Sequence, residues 1–74
     1  MAEILTRDYD VELRTQNALA GSSIYALRRL RVEREGDALL ISGRVKSFYE
    51  KQLAQEVVRA TAPGVTVVNL IEVE

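Results

Sequence analysis

The feature that most constrains the fold is a change in hydrophobic period between residues 39 and 58. Apolar or small residues first recur at every second position, as on one face of a β-strand, and then at helical spacing. The alternating positions are Leu39, Ile41, Gly43 and Val45, and the helical ones are Leu53, Ala54, Val57 and Val58. Ser47 lies at the junction and is a typical helix N-cap residue. A strand that runs through an N-cap into an amphipathic helix is half of a βαβ-type unit.

The flanking sequence completes an α-β-β-α-β order in a single domain that spans residues 1–74. The segments are a helix at 4–20, strands at 24–35 and 38–46, a helix at 48–62 with Tyr49 in its apolar face, and a strand at 65–73. Gly36 turns the chain between the first two strands, and Pro63 with Gly64 ends the second helix. A right-handed crossover makes the third strand parallel to the second. We therefore predict an α/β (α+β) fold with a mixed three-stranded sheet and two helices packed on one face.

The first predicted helix is apolar on two sides. One stripe contains Ile4, Val11, Thr15, Ala18 and Leu19, and the other contains Leu5, Tyr9, Leu13 and Ala20. A helix with two apolar sides is usually buried twice. The second stripe therefore either contacts a partner outside the domain or covers an edge of the sheet within it, and the sequence favours neither interpretation.

The composition argues against an enzyme. The chain has 74 residues with no cysteine and no histidine. This removes disulfides, thiolate zinc sites and the commonest general base. The carboxylates are scattered, without a pair spaced for acid–base work, and no glycine-rich phosphate loop is present. We expect no catalytic residue, no metal site and no cofactor.

Charge and aromatic content argue against a nucleic-acid partner. The net charge is −1 and the pI is near 5.4, whereas domains that bind a phosphate backbone are usually basic. One Phe and three Tyr offer little for base stacking. No apolar run approaches the ~20 residues of a transmembrane helix. The first residues do not resemble a secretory signal peptide, so we expect a cytoplasmic protein if the chain is full length.

One face of the predicted sheet is left uncovered by the helices. We place Arg31, Glu33, Leu40, Ser42, Arg44, Val68 and Leu70 on this face. Leu40, Val68 and Leu70 would form an apolar patch there, and such patches usually mark a partner surface. A register shift of one residue would instead turn Val67 and Asn69 outward and remove most of the patch. A few tolerated exposed leucines are an equally good explanation.

The small and apolar positions of these segments resemble those of a known family. The run Leu39-x-Ile41-x-Gly43-x-Val45-x-Ser47-x-x-x-Lys51-x-x-Ala54, followed by Gly64-Val65-x-x-Val68-Asn69-x-Ile71-x-Val73, is similar to the BON domain. Asp8, Val11 and the pair Ala18-Leu19 match the first helix of that family. Thr15 departs from the pattern at a position that is usually aliphatic, and Asn69 follows Gly64 one residue early. Gly43, Gly64 and Asn69 are expected to serve the fold, Gly43 by close approach of a neighbouring element and Asn69 as a structural residue at the start of a strand.

The resemblance implies an α/β sandwich and a non-catalytic binding or adaptor role in the bacterial envelope. Its partners would be an anionic phospholipid surface or an envelope protein, and its location would be the periplasm or envelope if the chain is a fragment of a longer BON protein. An alternative is a self-associating structural module, a homo-oligomer with no lipid role. Such a module would use the open face, the edge strands or the outer stripe of the first helix.

Basic residues supply the candidate lipid site. Arg28, Arg29, Arg31 and Arg34 lie along the first predicted strand, and Arg44 and Lys46 are placed beside Arg31 and Arg34. With the apolar Leu40 and Leu70, the basic side chains Arg28, Arg29, Arg31, Arg44 and Lys46 are the candidate binding residues. Each Lys or Arg near an anionic lipid surface contributes about 1 kcal/mol to the free energy of membrane binding. The competing interpretation is a solvated salt-bridge lattice with Glu33, Glu35 and Asp37.

Overall fold

The computed structural model describes residues 2–74, with side chains from Val11 onward. Its helices are α1 (Ala2–Ala20), a 3₁₀ helix (Tyr25–Arg29) and α2 (Phe48–Thr61). Its strands are β1 (Arg31–Glu35), β2 (Ala38–Ser42), β3 (Arg44–Val45), β4 (Thr66–Asn69) and β5 (Glu72–Val73). The predicted α-β-β-α-β order is confirmed.

The main sheet is mixed and has three strands in the order β1-β2-β4. β1 pairs antiparallel with β2 through a tight turn at Gly36, and β4 pairs parallel with β2 after the α2 crossover. The short strands β3 and β5 continue the parallel pairing, because Ala38 faces Thr66 and Arg44 faces Glu72 with the same offset along the chain. The predicted mixed sheet and its parallel third strand are therefore confirmed.

Two strands that the sequence predicts as continuous are each interrupted once. Gly43 separates β2 from β3 with a φ of 133°, a backbone conformation that side chains disfavour. A Cβ added at Gly43 would lie 2.7 Å from Cδ2 of Leu30. The close approach predicted for Gly43 is therefore to the residue that precedes β1. The second break falls at residues 70–71, directly opposite the first.

The segment at 24–35 is not a strand throughout. Tyr25–Arg29 is a 3₁₀ helix that begins after Ile24, whose backbone N–H donates to Oγ of Ser22 at 3.0 Å. This turn buries Leu27 completely in the core. Because an extended backbone would alternate its side chains, it would not place Leu27 and Leu30 in the same core. Arg28 and Arg29 consequently lie on a helix and not on the first strand.

The start of α2 carries the predicted cap. The Ser47 hydroxyl accepts a hydrogen bond from the backbone N–H of Glu50 at 3.1 Å, as in a capping box. The Glu50 carboxylate accepts from the N–H of Lys46 at 2.9 Å, one residue earlier than in the usual arrangement. The helix ends at Thr61, and Gly64 follows with a φ of 86°. These caps hold the first turn of α2 firmly against β3.

The core lies between the sheet and the two helices. It contains Leu19, Leu27, Leu30, Val32, Leu39, Ile41, Val45, Ala54, Val58, Ala62 and Ile71. Thr15 is also fully buried, and its hydroxyl donates to the carbonyl of Val11 at 2.6 Å. Thr15 thus occupies the position where the resemblance predicts an aliphatic residue and satisfies its one polar group locally.

The predicted second stripe of α1 is only partly described. Leu13 and Ala20 are exposed, with Leu13 42% accessible to solvent. Ile4 of the first stripe, and Leu5 and Tyr9 of the second, lie outside the residues with described side chains.

Candidate functional site

The predicted basic residues fall into two groups. Arg29 on the 3₁₀ helix, and Arg44 and Lys46 at β3, line one shallow groove together with Tyr25, Ala26, Val45 and Glu74. They meet because the 3₁₀ helix packs against β3. Arg28 neighbours this groove on the same helix. Four of the five basic candidates are therefore gathered at one end of the domain.

Arg31 and Arg34 do not join this group. Arg31 faces Ser42 across the β1–β2 pair, on the face of the sheet that the helices leave open. Arg34 faces Leu39 near the opposite end of the sheet, and its Nε donates to the carbonyl of Gly36 at 2.9 Å. The expectation that Arg34 lies beside Arg44 and Lys46 is wrong, because the antiparallel register separates them along the strand.

Arg28 is held in place by two contacts. Its Nε donates to the backbone carbonyl of Ser22 at 2.7 Å, and its guanidinium lies 5.8 Å from the centroid of the Tyr25 ring. The second contact is within the range of a cation–π interaction. Arg28 therefore fixes the orientation of Tyr25 at the rim of the groove.

Arg44 forms ion pairs with two carboxylates at the groove. Its Nε lies 3.5 Å from Glu72 and its Nη1 lies 3.9 Å from Glu74. All three side chains are largely exposed, so these pairs are weak and easily exchanged for another anion. The carboxylates come from β5 and the residue after it, and not from β1 as the salt-bridge interpretation of the sequence predicted.

Three aromatic side chains stand exposed at the same end of the domain. Tyr25, Phe48 and Tyr49 are 67%, 75% and 70% exposed. Phe48 and Tyr49 begin α2, which is separated from β3 by two residues, and α2 as a whole contacts both β3 and the 3₁₀ helix. They include the only Phe of the chain and two of its three Tyr. We call the surface formed by Tyr25, Arg28, Arg29, Lys46, Phe48 and Tyr49 the aromatic–basic end.

The sequence interpretation missed these aromatic residues. It placed Tyr49 on the buried face of the second helix by its period, and that placement is wrong. Side chains of a first helical turn point back beyond the helix end, so at this position the period does not determine burial. The pair Phe48-Tyr49 directly after the N-cap Ser47 was the signal that could have shown their exposure.

The open face of the sheet carries the predicted apolar residues. Leu40 and Val68 are paired in register, and Val68 and Leu70 are exposed. Val67 packs toward the core, and Asn69 also points to the helices. The register that would have turned Val67 and Asn69 outward is therefore wrong.

Asn69 is held by α2. Its Nδ2 donates to the carbonyl of Lys51 and to Oε1 of Gln55, each at 3.1 Å. Its Oδ1 accepts from the backbone N–H of Ile71, also at 3.1 Å. Asn69 therefore joins β4 to α2 at the point where the strand is interrupted.

Neither a metal cluster nor a membrane-spanning helix is found among the described residues. No three of the carboxylate, imidazole or thiol side chains that are described come together as metal ligands. Within residues 2–74, no helix combines the length and apolar character that a membrane crossing requires.

The chain matches a known protein family. The BON domain matches the chain over residues 8–74, a span that includes all five strands and both long helices except the start of α1. A comparison with curated proteins finds no match. The family match therefore applies to the whole fold and includes the aromatic–basic end.

Proposed function

Because the chain belongs to the BON domain family, we propose that it is a non-catalytic module that binds the anionic surface of a phospholipid membrane. The observation that carries the proposal is the aromatic–basic end, where Tyr25 shares a groove with Arg29 and Lys46, and the exposed Phe48 and Tyr49 follow Lys46 at the start of α2. We place this activity at the bacterial envelope. Fractionation of cells that express the protein from its own gene tests that location.

The two kinds of side chain at this end suit a membrane interface for different reasons. Basic groups near an anionic leaflet each contribute about 1 kcal/mol through electrostatic attraction. Tyr places its ring at the level of the headgroups with its hydroxyl toward water, and Phe inserts its apolar ring at the boundary with the acyl chains. A surface that combines both binds more strongly than either kind alone and depends on salt only in part.

The aromatic–basic end is also preorganised. The Ser47–Glu50 cap fixes the first turn of α2, and the Arg28–Ser22 hydrogen bond fixes the 3₁₀ helix. Because these backbone segments are already ordered, binding a membrane would require little further loss of conformational entropy. The groove between the 3₁₀ helix and β3 is lined by Arg29, Arg44 and Lys46 with Glu74, and it has room and a net positive lining for a phosphate-bearing headgroup.

Flotation with protein-free vesicles tests the charge component. We expect binding to phosphatidylglycerol-containing vesicles and weak binding to phosphatidylcholine vesicles. Arg28→Glu with Arg29→Glu should lower the affinity for these vesicles at least about tenfold, since each basic side chain contributes about 1 kcal/mol to the binding free energy. Arg31→Glu with Arg59→Glu is the matched control, because it makes the same charge change outside the aromatic–basic end. Equal losses for the two double variants would contradict this location.

A second pair of variants tests the aromatic component. Phe48→Ser with Tyr49→Ser should weaken flotation at high salt, where the electrostatic attraction is screened. Val68→Ser with Leu70→Ser removes two exposed apolar side chains from the open sheet face and should leave flotation unchanged. If the wild-type chain binds no protein-free vesicle of either composition, the lipid proposal fails and an envelope protein becomes the better candidate partner.

A second candidate function is self-association as a structural module. It is supported by a different part of the surface, the free edge of β4, which carries no charge from Pro63 to Ile71. This candidate needs neither the groove nor the exposed aromatic rings.

A further inference from the structure

The two free edges of the sheet are protected to different degrees. At β1, four of the five residues are charged, and the side chain of Gln16 covers the edge. Gln16 donates to the carbonyl of Leu30 and accepts from the N–H of Val32, both at 2.9 Å. Charged residues and covering groups are the usual means of blocking edge-to-edge pairing. The β1 edge is therefore protected against pairing with another strand at its start by Gln16 and along its length by charge.

The β4–β5 edge has much less protection. The backbone N–H groups of Leu70, Glu72 and Glu74 donate to the carbonyls of Ile41, Gly43 and Val45. Because strand residues alternate in direction, the backbone groups of Val67, Asn69 and Val73 point to the outer side. On that side Ile71 donates its N–H to the Asn69 side chain, but its carbonyl is still directed outward. The edge thus offers a row of donors and acceptors with no charged residue in its centre.

We infer that the β4–β5 edge pairs antiparallel with the same edge of a second copy of this chain, about a twofold axis at Asn69. This inference deepens the self-association candidate and does not depend on lipid binding. In this register Val67 faces Ile71 of the second copy, and Val68 faces Leu70 of the second copy. The two three-stranded sheets then form one continuous six-stranded sheet.

The distribution of charge along the edge favours a second copy as the occupant. A charge on the twofold axis would face its own like charge, and a charge next to the axis would lie close to it; here residues 63–71 carry none. The acidic Glu72 falls opposite Thr66 of the second copy, so the carboxylates stay apart. The β4–β5 edge is therefore compatible with the same edge of a second copy.

The open face supports the same register. Val68 and Leu70 are 36% and 53% exposed and lie on one face of β4 and its extension. Pairing about Asn69 brings both residues from each copy together into one apolar strip beside Leu40. Such cross-strand apolar pairs are the main side-chain contribution to sheet stability. The exposed patch that a single copy leaves in water is thereby partly covered.

Disulfide trapping tests the register, because the chain contains no cysteine of its own. Val68→Cys and Leu70→Cys chains of different mass are mixed under mild oxidation. Val68 and Leu70 form a non-hydrogen-bonded pair in the inferred register, with a geometry that suits a disulfide. We expect the mixed dimer to form several-fold faster than either homodimer or a mixed dimer with Glu33→Cys. Equal rates for all combinations would overturn the register.

Sedimentation of the unmodified chain tests the association itself. A dimer at micromolar concentration is expected, and Val68→Lys should raise its dissociation constant at least about tenfold because it sets an ammonium group opposite Leu70. Glu33→Lys on β1 is the matched control and should leave the dimer intact. Circular dichroism checks that both variants fold. A wild-type monomer at all concentrations would overturn the inference, while vesicle flotation by that monomer would leave the lipid proposal standing.

Discussion

The side chain of Gln16 on α1 hydrogen-bonds to the backbone at Val32 of β1 in the way that a neighbouring strand would. The side-chain Oε1 of Gln16 accepts the backbone N–H of Val32, and its Nε2 donates to the carbonyl of Leu30. One helix side chain thus satisfies both outward backbone groups at the start of the edge strand. It also fixes the position of α1 relative to the sheet.

Replacing Gln16 should destabilise the domain. Gln16→Leu leaves the N–H of Val32 and the carbonyl of Leu30 without their partner, and we expect a loss of about 1–3 kcal/mol in the free energy of unfolding. Urea titration followed by circular dichroism measures the loss. Asn17→Leu, at the next and exposed position, is the control and should change the stability by less than about 0.5 kcal/mol. Equal effects at the two positions would show that the paired hydrogen bonds contribute nothing.

Gly43 should tolerate no side chain. Gly43→Ala forces a residue to a φ of 133° and sets its Cβ against Leu30, so a loss of about 2–4 kcal/mol in unfolding free energy is expected from strain and displaced packing. Gly36 also has a positive φ, 61°, but open space around it. Gly36→Asn is therefore the comparison variant, and its loss should be under about 1 kcal/mol. Thermal unfolding of both variants ranks them, and a smaller loss for Gly43→Ala would contradict the role assigned to Leu30.

The stability of the domain should depend more on the charge of the side chain at position 69 than on its size. Asn69→Ala removes the hydrogen bonds to α2 and to Ile71, at a cost of about 1–3 kcal/mol. Asn69→Asp keeps the acceptor for Ile71 but directs a carboxylate at the carbonyl of Lys51, so it should be at least as destabilising near neutral pH. Chemical denaturation compares them, with Thr66→Ala on the same strand as a near-neutral control. A fully stable Asn69→Asp variant would show that the amide donor is not needed.

Thr15→Val should stabilise the domain. The buried hydroxyl donates only to the carbonyl of Val11 within the same helix, and Val has nearly the same shape. Replacing a buried, locally bonded hydroxyl by a methyl group is expected to add about 0.5–1 kcal/mol. Thr61 makes the same kind of bond to Val57 but is only partly buried. Thr61→Val is the matched control and should gain less, as thermal unfolding of the two variants will show.

Periodicity explains how much of the fold could be predicted. Leu39, Ile41 and Val45 alternate because one side of β2 and β3 faces the helices, and Ala54 with Val58 recur because one side of α2 faces the sheet. The N-cap at Ser47 and the left-handed residue Gly64 are local features, set by bonds and sterics within a few residues. For these reasons the element order, the sheet and the direction of its third strand followed from the sequence.

Contacts between distant residues explain what could not be predicted. The turn that makes a 3₁₀ helix of Tyr25–Arg29 depends on Leu27 entering a core built by later segments. The interruption at Gly43 depends on Leu30, and the orientation of Asn69 depends on Lys51 and Gln55. None of these contacts leaves a periodic signal along the chain.

The sequence by itself determined that this chain is a small α/β domain of BON type, because burial on one side of each element imposes a period that is visible in a single chain. Only the tertiary structure decided which charged and aromatic residues share a surface. Packing of the 3₁₀ helix, β3 and α2 against one another gathered Arg29, Lys46 and Phe48 at one end of the domain. Exposed residues follow no period, since solvent constrains them little, and their neighbours are set by the fold.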